Sequence, residues 1–176
     1  MITLSILVSN DKKNYMNNII VRQIQKQDNA ALAIIIRNAL KEFGANKPGT
    51  VYYDDATDHL FELFQKEKAA YYIAAAENKV LGGAGIFPTE GLPADTCELV
   101  KMYLSAAARG KGFARQLMQQ CFATAAANRF TKIYIETMPE LTTAVKMYEK
   151  FGFNYLQKPL GNSGHGGCDI WMLKEL

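Results

Sequence analysis

The chain is poor in several features that would place it quickly. No apolar run approaches the roughly 20 residues that a membrane-crossing helix needs. There are only three cysteines, Cys97, Cys121 and Cys168. They are widely spaced and form no Cys-x-x-Cys pair, so neither a zinc site nor a disulfide framework is expected. Reduced thiols in a cytoplasmic protein are the plain expectation, with no metal. Excess charge is also scarce: 20 basic against 17 acidic residues leave a net charge of +3. That is too weak to call for nucleic acid or a membrane surface as partner. No Gly-Lys-Ser or Gly-Lys-Thr occurs, which excludes a Walker A loop. Internal repeats and low-complexity tracts are missing too.

What remains is an ordinary globular mix, 49% hydrophobic and 21% charged over 176 residues. That length suits one domain with a sizeable core. Ile19 to Ile24 is β-branched and predicts a first strand. Asp28 is a candidate N-cap for a helix whose stripe runs through Leu32, Ile35, Ile36, Ala39, Leu40 and Phe43 and stops at Gly44. After a loop with Pro48-Gly49, Asp54 to Lys68 predicts a second helix, capped near Asp55 or Thr57, with Leu60, Leu63 and Phe64 inward. Tyr52 and Tyr53 either line a pocket or cover the core edge. His59, alone in this segment, is expected to be inert.

Ala70 to Ala76 and Val80 to Phe87 predict a hairpin turning at Glu77-Asn78-Lys79. Gly82, Gly83 and Gly85 mark either a bulge with a close backbone approach or dense packing of a helix on the sheet. Cys97 to Leu104 is the next strand, followed by a helix from about Gly110 to Asn128 with Cys121 in its apolar stripe. Lys132 to Thr137 alternates as a strand. Leu141 to Phe151 is a short helix stopped by Gly152. Phe153 to Gln157 and Asp169 to Leu173 are the last strands, joined by a loop with four glycines and one proline. Hairpins early and helical crossovers later imply an α/β (α+β) domain: a mixed central sheet of about seven strands with helices on both faces.

The segment CELVKMYLSAAARGKGFAR, Cys97 to Arg115, holds the chemistry. It reads as a strand, a turn and the start of a helix. The first N–H groups of a helix have no internal partner, and the helix dipole adds positive potential there, so the turn suits an anion such as a diphosphate. Gly110 and Gly112 let the backbone approach, Ala114 keeps the first turn small, and Arg109, Lys111 and Arg115 add cationic charge. A basic helix start with two incidental glycines is the plain alternative. A dinucleotide fingerprint is weakened by Arg115, where a third Gly or Ala belongs, although Glu136 stands about where its acid should.

Arg109-Gly110-Lys111-Gly112-Phe113-Ala114 matches the Q/R-x-x-G-x-G/A signature of the GNAT superfamily of acyl-CoA N-acyltransferases. TTAVKMYEKFGF, roughly thirty residues on, resembles that family's N-x-A-x-x-L-Y-E-K-x-G-F segment. The resemblance runs from about Ile19 to Leu176 and implies a GNAT fold with acetyl-CoA lying in a splay between the fourth and fifth strands. By position it implies that the backbone of Met102 and Leu104 holds the pantetheine arm. Backbone amides from Arg109 through Gly110, Lys111, Gly112 and Phe113 to Ala114 would hold the pyrophosphate. Thr142 stands where the family often has Asn, which puts that contact in doubt. Tyr148 aligns with the tyrosine placed near the thioester sulfur.

Chemistry supports that last assignment: a departing thiolate benefits from a proton, and a phenol can donate one. An N–H near Met102 or Tyr103 is the candidate to meet the developing oxyanion. Glu98 is the candidate base, acting through water, with a solvent-facing or ion-paired strand residue as the alternative. In GNSGHGGCDIW, a loop that borders the acceptor slot in the family, His165 is a candidate base or substrate contact, Asp169 is a candidate to bind a cationic amine, and the glycines suggest a mobile flap, with a plain flexible hairpin as the alternative. Cys168 as an acylated nucleophile is disfavoured, since direct transfer needs no covalent enzyme step.

The expectation is therefore an acetyl-CoA-dependent N-acetyltransferase acting on a primary amine, a small molecule rather than a protein. A protein lysine or N-terminal acetyltransferase and a non-catalytic acyl-CoA sensor are the alternatives. A homodimer stays open, since no interface patch is readable from one chain.

Residues 1–18 read as an extension or linker ahead of a domain spanning 19–176. Ile2 to Val8 is apolar, but it lacks a basic segment before it and a convincing cleavage site after it, which argues against a secretory signal. Ser9 to Asn18 is polar. Met16, just ahead of the first strand, is expected to be the biological start. Mass spectrometry of the native N-terminus checks this, and peptides covering Thr3 to Lys12 would overturn it.

Overall fold

The computed structural model describes residues 19–77, 79–164 and 166–176. The expected extension with its Met16 start, Asn78 of the hairpin turn and His165 lie outside the described residues. The architecture is built around a strand of continuous apolar sequence, Ala70–Ala76, every residue of which is buried. A strand covered on both faces needs no polar side. Ala70, Tyr72 and Ala74 enter one core, while Tyr71, Ile73 and Ala75 enter the other.

The strands are β1 (Ile19–Gln23), β2 (Ala70–Ala76), β3 (Lys79–Phe87), β4 (Thr96–Leu104), β5 (Lys132–Thr137), β6 (Asn154–Tyr155) and β7 (Ile170–Glu175). They form one seven-stranded sheet in the order β1-β2-β3-β4-β5-β7-β6. Every neighbouring pair is antiparallel except β4 and β5. Helix α1 (Asn29–Glu42) covers one face and buries Leu32, Ile36 and Leu40, one turn apart. The short α2 (Leu60–Leu63) lies on the same side. The other face carries α3 (Phe113–Ala127) and Tyr148 from α4 (Thr142–Lys150). Among the described residues no helix is long and apolar enough to cross a membrane.

The predicted helix over Asp54 to Lys68 is broken. A 3-10 turn, Asp55–Asp58, is followed by the single α-turn Leu60–Leu63, with His59 between them at φ −130°, ψ 40°. The cause is local competition for backbone groups. Asp54, not Asp55 or Thr57, accepts from the Ala56 N–H at 2.9 Å, and Thr57 donates to the Val51 carbonyl at 2.9 Å. Asp58 turns outward to Arg37 at 2.6 Å. Asp28 does precede α1, but its carboxylate takes Arg22 and the Gln25 N–H rather than the helix.

Two of the three strand glycines, Gly83 and Gly85, share a specific cause, while Gly82 lies against the backbone of Tyr103 and Leu104 in β4. A Cβ on Gly83 would stand 2.4 Å from Tyr71 Cε1, and one on Gly85 would stand 2.6 Å from Tyr71 Cδ2. The Tyr71 ring lies in the trough these glycines leave, and its hydroxyl donates to the Lys101 carbonyl at 2.8 Å. There β4 bulges: the register passes from Gly85↔Val100 to Gly83↔Tyr103, so two residues of β4 face one of β3. Lys101 adopts φ 50°. The bulge with a close backbone approach is therefore what the glycines mark, and an aromatic ring rather than a packed helix fills the space beside them.

The bulge matters because of what happens beside it. Strands β4 and β5 pair only through Thr96↔Lys132, Cys97↔Ile133 and Glu98↔Tyr134. Beyond Glu98 the two strands part and leave a gap in the sheet.

Gly83→Ala forces backbone and ring contacts apart and is expected to cost about 3 kcal/mol. Gly110→Ala, where an added Cβ meets nothing within 4 Å, should cost only about 1 kcal/mol, from its positive φ. Urea denaturation of the two variants checks the order.

Candidate active site

After β4 the chain makes a 3-10 turn, Ala106–Ala108, and then enters α3 through Gly110 and Gly112, at φ 72° and φ 84°. No side chain caps the α3 N-terminus. Its first N–H groups are thus left facing outward above two glycines whose surroundings are open. That donor set is what a phosphate group needs. The cations around the turn have different duties. The Arg109 guanidinium donates to the Leu104 carbonyl at 3.1 Å and forks onto Glu42 at 2.8 Å through both nitrogens. It also lies 4.9 Å over the Phe43 ring. Arg109 is therefore a strut between the turn and α1, and its charge is matched by Glu42. Arg115 lines the opening, 6.0 Å over Phe151, and Lys111 is exposed. Lys146 and Lys150 of α4 line the same opening.

From this turn a cleft of about 740 Å³ runs into the gap between β4 and β5. Met102, Tyr103, Leu104, Arg109, Gly110, Gly112, Phe113 and Ala114 all line it, whereas Lys111 and Thr142 do not. Thr142 is exposed at the start of α4, and its neighbour Thr143 faces the cleft instead.

The bulge decides which side chains meet there. Before it, Cys97 and Leu99 face α3; after it, Met102 and Leu104 do. One extra residue reverses the alternation, so Val100 and Tyr103 both fall on the α1 face. Glu98 shares that face by alternation, and so do Tyr134 and Glu136, which alternate with the α3-facing Ile133 and Ile135. Tyr148 reaches the gap from the opposite face. It is buried, packs edge-on to Phe153 at 5.9 Å, and donates no hydrogen bond among the described residues. Burial pushes its phenol above the usual value, which keeps the proton on.

Glu98 is 3% exposed. Burial, with the charge of Glu136 adding to it, pushes its carboxyl up to about 7 against the opposing influence of Thr89 and Lys101. Thr89 Oγ1 donates to one of its oxygens at 2.5 Å. Lys101 is held by Asp54 at 2.6 Å. Glu136 accepts from Tyr134 at 2.8 Å and from Ser163 at 2.6 Å. Cys168 lines the cleft, and its thiol is pushed up to about 12, chiefly by burial, so it stays protonated. Asp169 is exposed and outside the lining. The loop with these residues is tied at several points: Leu160 N–H to Tyr134 at 3.1 Å, Asn162 N–H to the Glu90 carbonyl at 2.7 Å, and Gly167 N–H to the Gly49 carbonyl at 3.1 Å. Among the described residues no three His, Cys, Asp or Glu side chains gather as a metal would need.

Sequence reasoning passes over Glu136 except as the acid position of a dinucleotide fingerprint. The available signal is strand alternation in KIYIET, which puts Tyr134 and Glu136 together.

Residues 36–153 match the model of the Acetyltransferase (GNAT) family. The Escherichia coli (strain K12) protein called Uncharacterized N-acetyltransferase YjgM is 39% identical over 168 residues, spanning 92% of this chain and 100% of that protein. The chain belongs to the GNAT family of acetyltransferases. It is accordingly an acyl-CoA-dependent N-acetyltransferase. Solved GNAT structures share its fold. A Staphylococcus aureus Mu50 acetyltransferase superposes with a TM-score of 0.78 at 16% identity, covering 89% of this chain and 98% of its own. PaiA N-acetyltransferase from Thermoplasma acidophilum, in complex with coenzyme A, gives 0.71 at 16% identity, covering 90% and 99%.

In this GNAT protein the carboxyl of Glu98 has a consequence for stability. Its folded pKa lies above the unfolded value of about 4.3. The folded state therefore holds the proton more tightly, and stability falls as pH rises through 7. Glu98→Gln removes that loss. Its melting temperature relative to the unsubstituted protein is expected to rise between pH 5 and pH 8 by at least about 3 °C, read by calorimetry.

Proposed function

We propose that the protein moves the acetyl group of acetyl-CoA to a primary amine of a small molecule by direct attack. The observation that carries this is the placing of Glu98 and Tyr148 on opposite faces of one gap in the sheet, beside an uncapped helix N-terminus. The N–H groups from Gly110 to Ala114 would take the pyrophosphate. The β4 edge beyond Glu98, which has no β5 residue paired to it, would take the amides of the pantetheine arm. Acetyl-CoA supplies the thioester; the rest is done by this chain. The acceptor enters from the α1 face, where Glu98, with a value near 7, takes a proton from the amine directly or through water. As the C–S bond breaks, Tyr148 gives its proton to the sulfur. A backbone N–H near Met102 or Tyr103 meets the charge growing on the carbonyl oxygen. The protonated state of Cys168 supports direct transfer over an acylated thiol. The ties among the loops around Gly49, Glu90 and Gly167 support a small acceptor.

Thiol release from acetyl-CoA across a panel of amines, with products identified by mass spectrometry, tests this; binding without turnover on any amine would favour a sensor. Tyr148→Phe is expected to lower kcat about 100-fold, and a fall of less than about threefold would remove the acid role. kcat/KM should rise with pH up to about 7 and then level, since Glu98 must be ionised to act. Glu98→Gln should abolish that inflection.

A further inference from the structure

We propose that the acceptor is a small dication, a short alkyl diamine whose attacking nitrogen meets Glu98 and whose second ammonium is held by Glu136. This rests on the acetyltransferase reading and adds the class of acceptor.

Glu98 lies opposite Tyr134 in the parallel register, and Glu136 is two residues further along β5 on the same face. Strand spacing and rise put their Cα atoms at least about 8 Å apart, with the parting of the strands adding to this. Both side chains line the cleft. Neither forms an ion pair among the described residues, and Lys101, the cation that influences Glu98, is already held by Asp54. Glu136 is oriented by two hydroxyls, Tyr134 and Ser163. Neutral donors fix a carboxylate without cancelling its charge. Glu98 is at least as telling. It is buried, one oxygen takes Thr89, and the other has no donor among the described residues while the side chain faces the cleft.

Two carboxylates side by side in a half-enclosed slot raise each other's energy unless a cation joins them. An acceptor with one amine cannot serve both, because that nitrogen must lose its charge to attack. A second alkylamine keeps its proton near neutral pH, with an ordinary pKa of about 10. It then remains on Glu136 while Glu98 takes the proton from the first. The attacking nitrogen forms the C–N bond, the C–S bond breaks and the thiolate takes the Tyr148 proton; the second proton that the nitrogen sheds as it becomes an amide returns to the Tyr148 oxygen, directly or through water, and Glu98 passes the first to solvent, so that charge and atoms balance without any further reactant.

The test is the ratio of kcat/KM for 1,4-diaminobutane to that for butylamine. The unsubstituted enzyme is expected to prefer the diamine by at least about tenfold. In Glu136→Gln the ratio should fall to within about threefold of unity. Ser163→Ala, which removes one hydroxyl that orients Glu136 and leaves its carboxylate in place, should lower it at least about threefold and serves as the deciding variant if Glu136→Gln does not fold. A ratio near unity in the unsubstituted enzyme, or one unchanged in the variants, overturns the proposal while leaving the acetyltransferase reading intact. A lysine peptide with basic neighbours that outpaces the diamine overturns the small-molecule acceptor. If acetyl-CoA binds and no amine is acetylated, both readings fail together.

Discussion

One buried hydrogen bond, from the Tyr71 hydroxyl to the Lys101 carbonyl, organises the working end of the molecule. Lys101 sits at φ 50°, a conformation that costs a non-glycine residue about 1–2 kcal/mol. It persists because its surroundings fix it from both ends. The carbonyl is held by Tyr71 and the ammonium by Asp54. Tyr71 can reach the carbonyl only because Gly83 and Gly85 leave its ring a place across the sheet. The bulge stabilised in this way reverses the alternation of β4 beside the point where β5 leaves it. Glycines that would weaken an ordinary strand thus serve a gap one strand away.

The gap then sorts chemistry by face. A phenol kept protonated by burial stands on the α3 side, and a carboxyl raised toward neutrality stands on the α1 side. Both shifts are upward and have burial as their main cause, yet they suit opposite roles. Burial stops the phenol from ionising, which preserves a proton donor. It makes the carboxylate a stronger base than a solvated one, which prepares it to accept a proton near pH 7. In the proposed reaction the sheet keeps the two groups apart, so that acid and base would meet through the reacting centre rather than through each other.

Much of this is legible in the amino-acid sequence. β2 and β5 are bounded as the apolar run and the alternation predict, and the mixed sheet with helices on both faces follows from the order of elements. The turn at Gly110 and Gly112 is legible because positive φ leaves glycine in the sequence. The failures have a common physical origin. The second helix breaks because Asp54 and Thr57 find backbone partners that no periodicity reveals. The partner of the Arg109 guanidinium, Glu42, is 67 residues away and is not visible locally. Thr142 and Asp169 each miss the cleft by one residue, with Thr143 and Cys168 in their place. A one-residue error reverses direction in a strand and turns a helix by about 100°, so element boundaries known to within a residue do not fix which side chain enters a site. The bulge at Lys101 leaves no sign in the strand that carries it; its sign lies in the glycines of the neighbouring strand.

The raised carboxyl of Glu98 ties stability to function. A group that resists ionisation on folding lowers stability at the pH where its base form is needed. The fold accepts that cost next to a second carboxylate, Glu136, whose charge increases it. Replacing either acid by an amide would relieve the strain, so stability alone gives no reason for the pair. The proposed dicationic acceptor would supply one: it would favour the ionised form of Glu98 and so bind most tightly when that carboxylate can take a proton. Charge on the acceptor and readiness of the base would then be coupled through the same two oxygen-bearing groups, and the Ser163 hydroxyl would extend that coupling into the loop that borders the slot.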